Sequence, residues 1–409
     1  MTEIAYGIIN SESVQTTTST SWQDVGTIAS TAFEGSKEYL VIAFGQMGGS
    51  SNGVSDYNAR LSVVFDDTLP GTYTNVRPLT AGNNYGNGVA AAIKITQAAT
   101  PTALKFQIRN ITGLTTTHVN RVQMVAFKVD PTDTDSDALH SGDYAYSDNT
   151  AQVDAVAATW VDCESITIGD GASDWLIIFS ARQKTGAGAS ASLDLRLDVG
   201  GTQYDETKTV RQNGDENRTD MVIHYVSALA SSTTVKGQFR SNTALGDLTD
   251  NQIMAIRLNA FEDFDGTRDT TGATISAADT DYTAATLTHT TSTAATRDWF
   301  FLGQVNTSWN EAGKNIDHWM DQNDVVFAGD HSGRYLEFRG STNITNGVLF
   351  NTYSLADGVD TDITIGVQEE SDVSPTSSIN SGIIVGFTLE LAAGGVEQGP
   401  IIVPTGPLR

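Results

Sequence analysis

Apolar and polar residues recur in the same order three times along the chain. In each third, one acidic residue is followed by a continuous apolar run that opens on an aromatic residue. The runs are residues 39–42, 175–178 and 299–302, and their aromatic residues are Tyr39, Trp175 and Trp299. Intervals of roughly 130 residues are too long for a solenoid repeat and suit a whole domain. We therefore expect three related domains, each with its own core and with one of these aromatics as its buried anchor.

Two further runs accompany each opening run and define the fold class. Residues 104–108, 235–239 and 363–367 alternate between apolar and polar positions, and residues 124–129, 253–258 and 384–389 share a second apolar pattern. Alternation with a period of two is typical of a half-buried strand. No stretch sustains helical spacing over three turns. Because clusters of Gly, Asn, Asp, Ser and Thr separate the runs, the sequence predicts an all-β chain of three tandem β-sandwich, jelly-roll-like domains.

Acidic, turn-rich segments mark the junctions between the domains. These segments are residues 130–137 and 262–266, so we place the domains at 1–131, 132–263 and 264–393. The remaining 394–409 contains three prolines around Ile401, Ile402 and Val403, and prolines spaced in this way exclude a helix or a central strand. This segment is either a disordered tail or an extended arm that docks on a neighbouring subunit, and the apolar triplet favours the arm.

The charge of the chain restricts its partners. A net charge of −26, from 49 acidic and 23 basic residues, argues against DNA or RNA, because a phosphate backbone needs clustered Lys and Arg. Residues 1–20 lack the basic start and apolar stretch of a secretory signal, and no run reaches the ~20 apolar residues of a membrane span. We expect a protein made in a cytoplasm, without a signal peptide and without membrane insertion.

One acidic motif is a candidate metal site. Asp133, Asp135 and Asp137 alternate as at the start of a calcium loop, but an EF-hand needs Gly at the sixth position and Glu at the twelfth. Ala138 and Tyr144 stand there, which excludes an EF-hand. A looser calcium site at the domain junction remains the alternative to a solvated linker. We expect no other cofactor and no catalytic residue.

Two tryptophans are the candidates for ligand binding. Trp309 and Trp319 flank residues 310–314 in the third copy only, and they have no counterpart among the aromatic anchors. An aromatic ring with one exposed face can stack on a sugar, whereas ordinary packing is the alternative. The third domain is therefore where the sequence predicts a contact with a host-surface glycan.

The tandem pattern resembles the virion structural proteins of tailed bacteriophages. The opening residues 1–7, followed by a Ser/Thr-rich stretch up to residues 22–25, share this character. The resemblance is to capsid-decoration, head-fibre and tail-fibre proteins built from repeated β-sandwich or jelly-roll domains. It implies a non-enzymatic structural protein on the virion surface, whose partners are capsid or tail subunits or further copies of itself, for instance in a trimer. A carbohydrate-binding adhesin or tail-tip receptor-binding protein is the second hypothesis, and a polysaccharide depolymerase is the third.

Overall fold

The computed structural model of the 409-residue chain describes most of its length. The described residues are 2–11, 15–49, 57–63, 74–76, 84–110, 117–169, 172–185, 190–213, 217–241, 246–277, 280–290, 296–309, 314–323, 325–329, 337–338, 343–356, 360–369 and 377–392. Within these ranges the structure has 31 β-strands, and its only helices are two short 3₁₀ turns, Ser30–Ala32 and Leu258–Ala260. The all-β prediction is confirmed.

The strands fall into three units, preceded by β1 (Thr2–Glu3). Unit 1 contains β2 (Tyr6–Ser11), β3 (Gln15–Thr17), β4 (Gln23–Ile28), β5 (Glu38–Gly49), β6 (Tyr57–Val63), β7 (Thr74–Val76), β8 (Asn84–Thr96), β9 (Leu104–Asn110) and β10 (Thr117–Asp130). After β11 (Leu139–His140), unit 2 contains β12 (Tyr144–Asn149), β13 (Val153–Asp154), β14 (Val161–Thr167), β15 (Ser173–Thr185), β16 (Ser190–Val199), β17 (Thr202–Asn213), β18 (Asn217–Leu229), β19 (Thr234–Ser241) and β20 (Gly246–Arg257). Unit 3 contains β21 (Phe264–Asp269), β22 (Ala273–Ile275), β23 (Asp281–Thr290), β24 (Arg297–Trp309), β25 (Lys314–Gln322), β26 (Val325–Gly329), β27 (Glu337–Phe338), β28 (Asn343–Leu355), β29 (Asp360–Glu369) and β30 (Ser377–Thr388), and β31 (Glu390–Leu391) follows it.

Each unit is a pair of sheets with one strand order. The inner sheets run β2-β10-β5-β8, β12-β20-β15-β18 and β21-β30-β24-β28, and the short strands β3, β11, β13 and β22 extend them. The outer sheets run β4-β9-β6-β7, β14-β19-β16-β17 and β23-β29-β25-β26, and β27 pairs with β25. Apart from the parallel pair β10–β11, the pairings are antiparallel. Two facing sheets of four strands in this order form an eight-stranded jelly roll, so the chain contains three of them in tandem.

The ends of the units meet each other. β1 pairs with β31, so a strand that precedes unit 1 lies beside the strand that follows unit 3. The predicted boundary after residue 131 falls between β10 and β11, and the one after residue 263 falls just before β21. Those boundaries, and the separate segment 394–409, stay predictions.

The inner sheets are buried on both faces, which explains their continuous apolar runs. On β5, Tyr39 and Val41 belong to the core between the two sheets of unit 1, whereas Leu40 and Ile42 point the other way into a second cluster. The opening runs of β15 and β24 divide in the same manner. A strand covered on both sides has no reason to alternate, and it therefore reads as an unbroken apolar run.

That second cluster is a core shared by all three units. Phe127 of unit 1 makes an edge contact with Phe300 of unit 3 at 5.3 Å between ring centroids, and Phe387 stacks on Phe261 at 4.1 Å. Leu176 and other residues of unit 2 complete the cluster. The structure thus has one core in each unit and a fourth between them. The shared core goes beyond the expectation of one core in each domain, because one face of every inner sheet is buried against the other units.

Candidate functional site

The boundaries between the units, which we call the seams, lie at one edge of each inner sheet. β8, β18 and β28 are the edge strands in question, each paired to the central strand of its own sheet. Matching registers place Ala92, Ile223 and Phe350 at equivalent positions, opposite Ile42, Ile178 and Leu302. An edge strand presents unpaired N–H and C=O groups, so these positions need partners once they are buried.

A side chain from the next unit supplies the partner at every seam. The amide N–H groups of Ala92, Ile223 and Phe350 donate to Ser180 Oγ at 3.0 Å, Gln304 Oε1 at 3.0 Å and Gln123 Oε1 at 3.4 Å, respectively. The two glutamines also donate their Nε2 groups to the backbone carbonyls of Met221, at 3.1 Å, and Phe350. Ser180 instead donates to Gln252 Oε1 at 3.2 Å. The exposed edge of a single jelly roll is therefore closed by its neighbour.

The seams follow one another in a closed cycle. Unit 2 covers the edge of unit 1, unit 3 covers that of unit 2, and unit 1 covers that of unit 3. The first strand of the covering unit also approaches the edge strand: Lys94 Nζ lies 5.9 Å from the ring centroid of Tyr146. At the seam between units 2 and 3, a Cβ on Gly266 would lie only 2.7 Å from the Tyr225 ring. One chain thus has an approximate three-fold arrangement.

Ion pairs around the buried Lys128 hold the linker between units 1 and 2. Lys128 is only 2% exposed, and its Nζ lies 2.7 Å from Glu34, 2.9 Å from Asp137 and 3.2 Å from Asp135. Burial alone would lower the pKa of Lys128, but hydrogen bonds to these carboxylates raise it above its ordinary value. A hydrogen bond from Lys37, at 2.5 Å, lowers the pKa of Asp135. These ion pairs fix the acidic linker to the end of β10.

The structure gives the predicted calcium ligands other partners. Asp135 and Asp137 contact the Lys128 ammonium, and Asp133 accepts hydrogen bonds from the backbone N and Oγ of Ser141 at 2.6 and 3.0 Å. In the described ranges, no three His, Cys, Asp or Glu side chains come together in a group that could hold a metal ion. Calcium binding here stays a prediction, and a melting temperature that falls on addition of EGTA would support it.

The other predicted residues have different outcomes. Trp319 is 3% exposed, and its ring lies over Gly366, where a Cβ would collide with it. This burial favours ordinary packing, the alternative to sugar stacking for this side chain. Sugar stacking by Trp319 stays a prediction. Trp309 ends β24, but its side chain lies outside the described residues. The proposed arm with Ile401, Ile402 and Val403 also lies outside the described residues. The three aromatic anchors are all fully buried: Tyr39, Trp175 and Trp299.

Sequence reasoning missed the residues of the seams. Gln123, Ser180 and Gln304 each interrupt an apolar strand, and that interruption was the available signal. Their partners are backbone groups more than 80 residues away in the chain, which no local pattern identifies. As for a membrane, none of the helices in the described ranges is long and apolar enough to cross one.

Comparison with known proteins gives no close relative. No family model and no curated protein matches the chain. Among solved structures, the STIV MCP is 8% identical with a TM-score of 0.27, over 60% of this chain and 97% of that one. A subunit of the T13 IBDV viral particle is 8% identical with a TM-score of 0.24, over 96% and 76%. PNGF-II is 9% identical with a TM-score of 0.30, over 86% and 99%. TM-scores this low support no argument about the function of this chain.

Proposed function

We propose that this chain is a non-enzymatic structural protein of a tailed-phage virion, displayed on the particle surface as a capsid-decoration or fibre protein. The observation that carries the proposal is the closed cycle of three jelly rolls around one shared core. Each edge strand at a seam is covered by the next unit, so the assembly is complete within one polypeptide. A rigid block of this kind suits a protein whose task is to occupy a position in a particle.

The three-fold arrangement favours one mode of attachment. A single chain offers the outline that a trimer of separate jelly rolls would offer, since the units follow each other in equivalent orientations. We infer that one chain caps a position of local three-fold symmetry on the shell. Its net charge of −26 makes free copies repel each other, so attachment depends on a specific interface. The segment 394–409 is our candidate for that interface.

Purified virions test the proposal. Quantitative mass spectrometry should find the protein at one copy for every three shell subunits of the capped position, and immunogold labelling should place it on the particle surface. Absence from purified virions, or a trace amount that varies between preparations, would refute the structural role. Turnover of a polysaccharide by the purified chain would refute the non-enzymatic assignment.

A truncation tests the arm separately. A chain that ends at residue 393 should fail to join virions while its melting temperature stays that of the full chain, because residues 394–409 lie beyond the last strand of the described fold. A second variant keeps the full length but has residues 401–403 changed to serine, and it should also fail to join virions. Normal incorporation of both variants would show that the shell contact lies elsewhere.

A further inference from the structure

The outer sheets of units 1 and 2 carry the same group of side chains, which we call the Trp–Arg cluster. It comprises Trp22, Asp24, Lys105, Gln107 and Arg109 in unit 1, and Trp160, Asp162, Arg196, Lys236, Gln238 and Arg240 in unit 2. The registers agree, since Asp24 lies opposite Gln107 and Asp162 lies opposite Gln238. These residues alternate with core residues such as Phe106 and Phe239, so they lie on the face turned away from the core.

The contacts within the cluster are nearly identical in the two units. In unit 1, the Asp24 carboxylate accepts from Lys105 Nζ and from Gln107 Nε2, both at 2.5 Å. The guanidinium carbon of Arg109 lies 4.5 Å from the ring centroid of Trp22. In unit 2, the corresponding Asp162 accepts from its lysine at 2.6 Å and from its glutamine at 2.5 Å. There the arginine lies 4.8 Å from the tryptophan ring.

In unit 2, a second arginine lies beneath the tryptophan. Arg60 takes the same register position in unit 1, but its side chain lies outside the described residues. The guanidinium carbon of Arg196 lies 4.0 Å from the ring centroid of Trp160. Arg196 also donates through Nε to Gln238 and through Nη1 to Gln203, both at 2.7 Å. It is only 6% exposed although it lies on the outer face of the sheet. The planar polar groups around the tryptophan are therefore held in fixed orientations.

Unit 3 builds the same sheet without the cluster. In unit 3, Trp319 lies opposite Gly366, and this pair corresponds to Arg196 opposite Gln238 in unit 2. Thr283 takes the position that Asp162 has in unit 2. The Trp319 ring covers the glycine instead of leaving a polar surface. An outer sheet of this fold does not require the cluster for its formation. Its presence in two units thus calls for a reason other than folding.

We propose that the two Trp–Arg clusters bind an acidic polysaccharide, each taking one sugar unit that carries a carboxylate. A half-buried indole offers an apolar surface to the C–H groups of a sugar ring, and fixed guanidinium, amide and carboxylate groups match pairs of hydroxyls. In unit 2, Arg240 also donates to Asp194 at 2.6 Å. The described side chains of each cluster, Asp194 included, still hold one more Lys or Arg than Asp, on a chain whose net charge is −26. This charge complementarity favours a carboxylated sugar over a neutral one. The proposal goes beyond the structural role and does not rest on it.

The experiment measures binding of the full chain to polygalacturonate, alginate and hyaluronate, with dextran as the uncharged polysaccharide. Wild type should bind at least one of the three acidic polymers and not dextran, and added salt should weaken binding. Trp22→Ala and Trp160→Ala should each reduce the affinity, and the double variant should lose at least ten-fold. Arg240→Gln keeps the tryptophan and should weaken binding at the unit 2 site. This variant tests the site even if a tryptophan variant fails to fold.

Matched controls separate binding from folding. Thr283→Ala changes the equivalent position in unit 3 and should leave the affinity as in wild type. Melting temperatures of all variants identify any that unfold. Three results would overturn the proposal: no binding of wild type to any acidic polymer, equal binding to dextran, or unchanged affinity of a folded double tryptophan variant.

Discussion

Truncation of Phe127 tests whether the three units share one core. Phe127 lies on β10 and is fully buried. Its ring centroid is 5.3 Å from that of Phe300, edge to face, and 5.8 Å from that of Phe387, and both partners belong to unit 3. Phe127→Ala therefore opens a cavity between units 1 and 3 and leaves the core between the two sheets of unit 1 intact.

The expected loss follows from burial. Replacement of a fully buried Phe by Ala costs about 3–5 kcal/mol, through the lost transfer free energy and the cavity left behind. An aromatic pair in this geometry contributes about 0.5–1.5 kcal/mol beyond its buried area. The Phe127 and Phe300 variants should thus be coupled. The double variant should lose about 0.5–1.5 kcal/mol less than the sum of the two single losses.

Chemical denaturation and calorimetry of the four proteins in this cycle supply the measurement. The control pairs Phe300→Ala with Phe106→Ala, because Phe106 is equally buried but belongs to the core of unit 1. That pair should add to within about 0.3–0.5 kcal/mol, as distant sites do. Additive losses for Phe127 and Phe300, or a unit 3 that melts as in wild type when Phe127 is truncated, would refute the shared core.

Three further predictions follow from the seams, the junction and the anchors. Gln304→Ala leaves the buried N–H of Ile223 without its acceptor and should cost about 1–3 kcal/mol in urea denaturation, whereas the exposed control Gln152→Ala should cost nothing measurable. Because its lysine partners lower the pKa of Asp135 in the folded state, the stability it contributes is present above the ordinary aspartate pKa of about 3.9 and is lost as pH falls below it. Asp135→Asn should flatten this acid limb of a plot of melting temperature against pH, and an unchanged limb would contradict the assignment. Trp175→Ala should lower the melting temperature of the whole chain, which should still unfold in one cooperative transition. A calorimetric trace in which only unit 2 melts early would show that the units are independent.

The strands were predictable from the sequence because each depends on local pattern. Alternating runs marked the outer strands, and three matched runs marked the repeats. The runs at residues 39–42, 175–178 and 299–302 also held a signal that the prediction of separate cores did not use. Leu40 and Ile42 are as apolar as Tyr39 and Val41, so both faces of β5 needed cover.

The contacts between units were not predictable, since they join residues that are remote in the chain. Nothing near Gln123 indicates that its partner is Phe350, which lies in another unit. The packing of Trp319 was not predictable for a related reason. That side chain needed a covering surface or a ligand, and the sequence does not show that Gly366 leaves room for the ring to lie flat.

The covalent link between the three jelly rolls has a consequence for how the protein can vary. In an assembly of three identical chains, any substitution at a subunit contact occurs three times and must be tolerated at all of them. Here each contact is encoded separately, so one carries a serine–glutamine pair where the other two carry a single glutamine. The same independence lets one outer surface differ from the other two, which gives the protein a distinguishable side that a symmetric trimer cannot have.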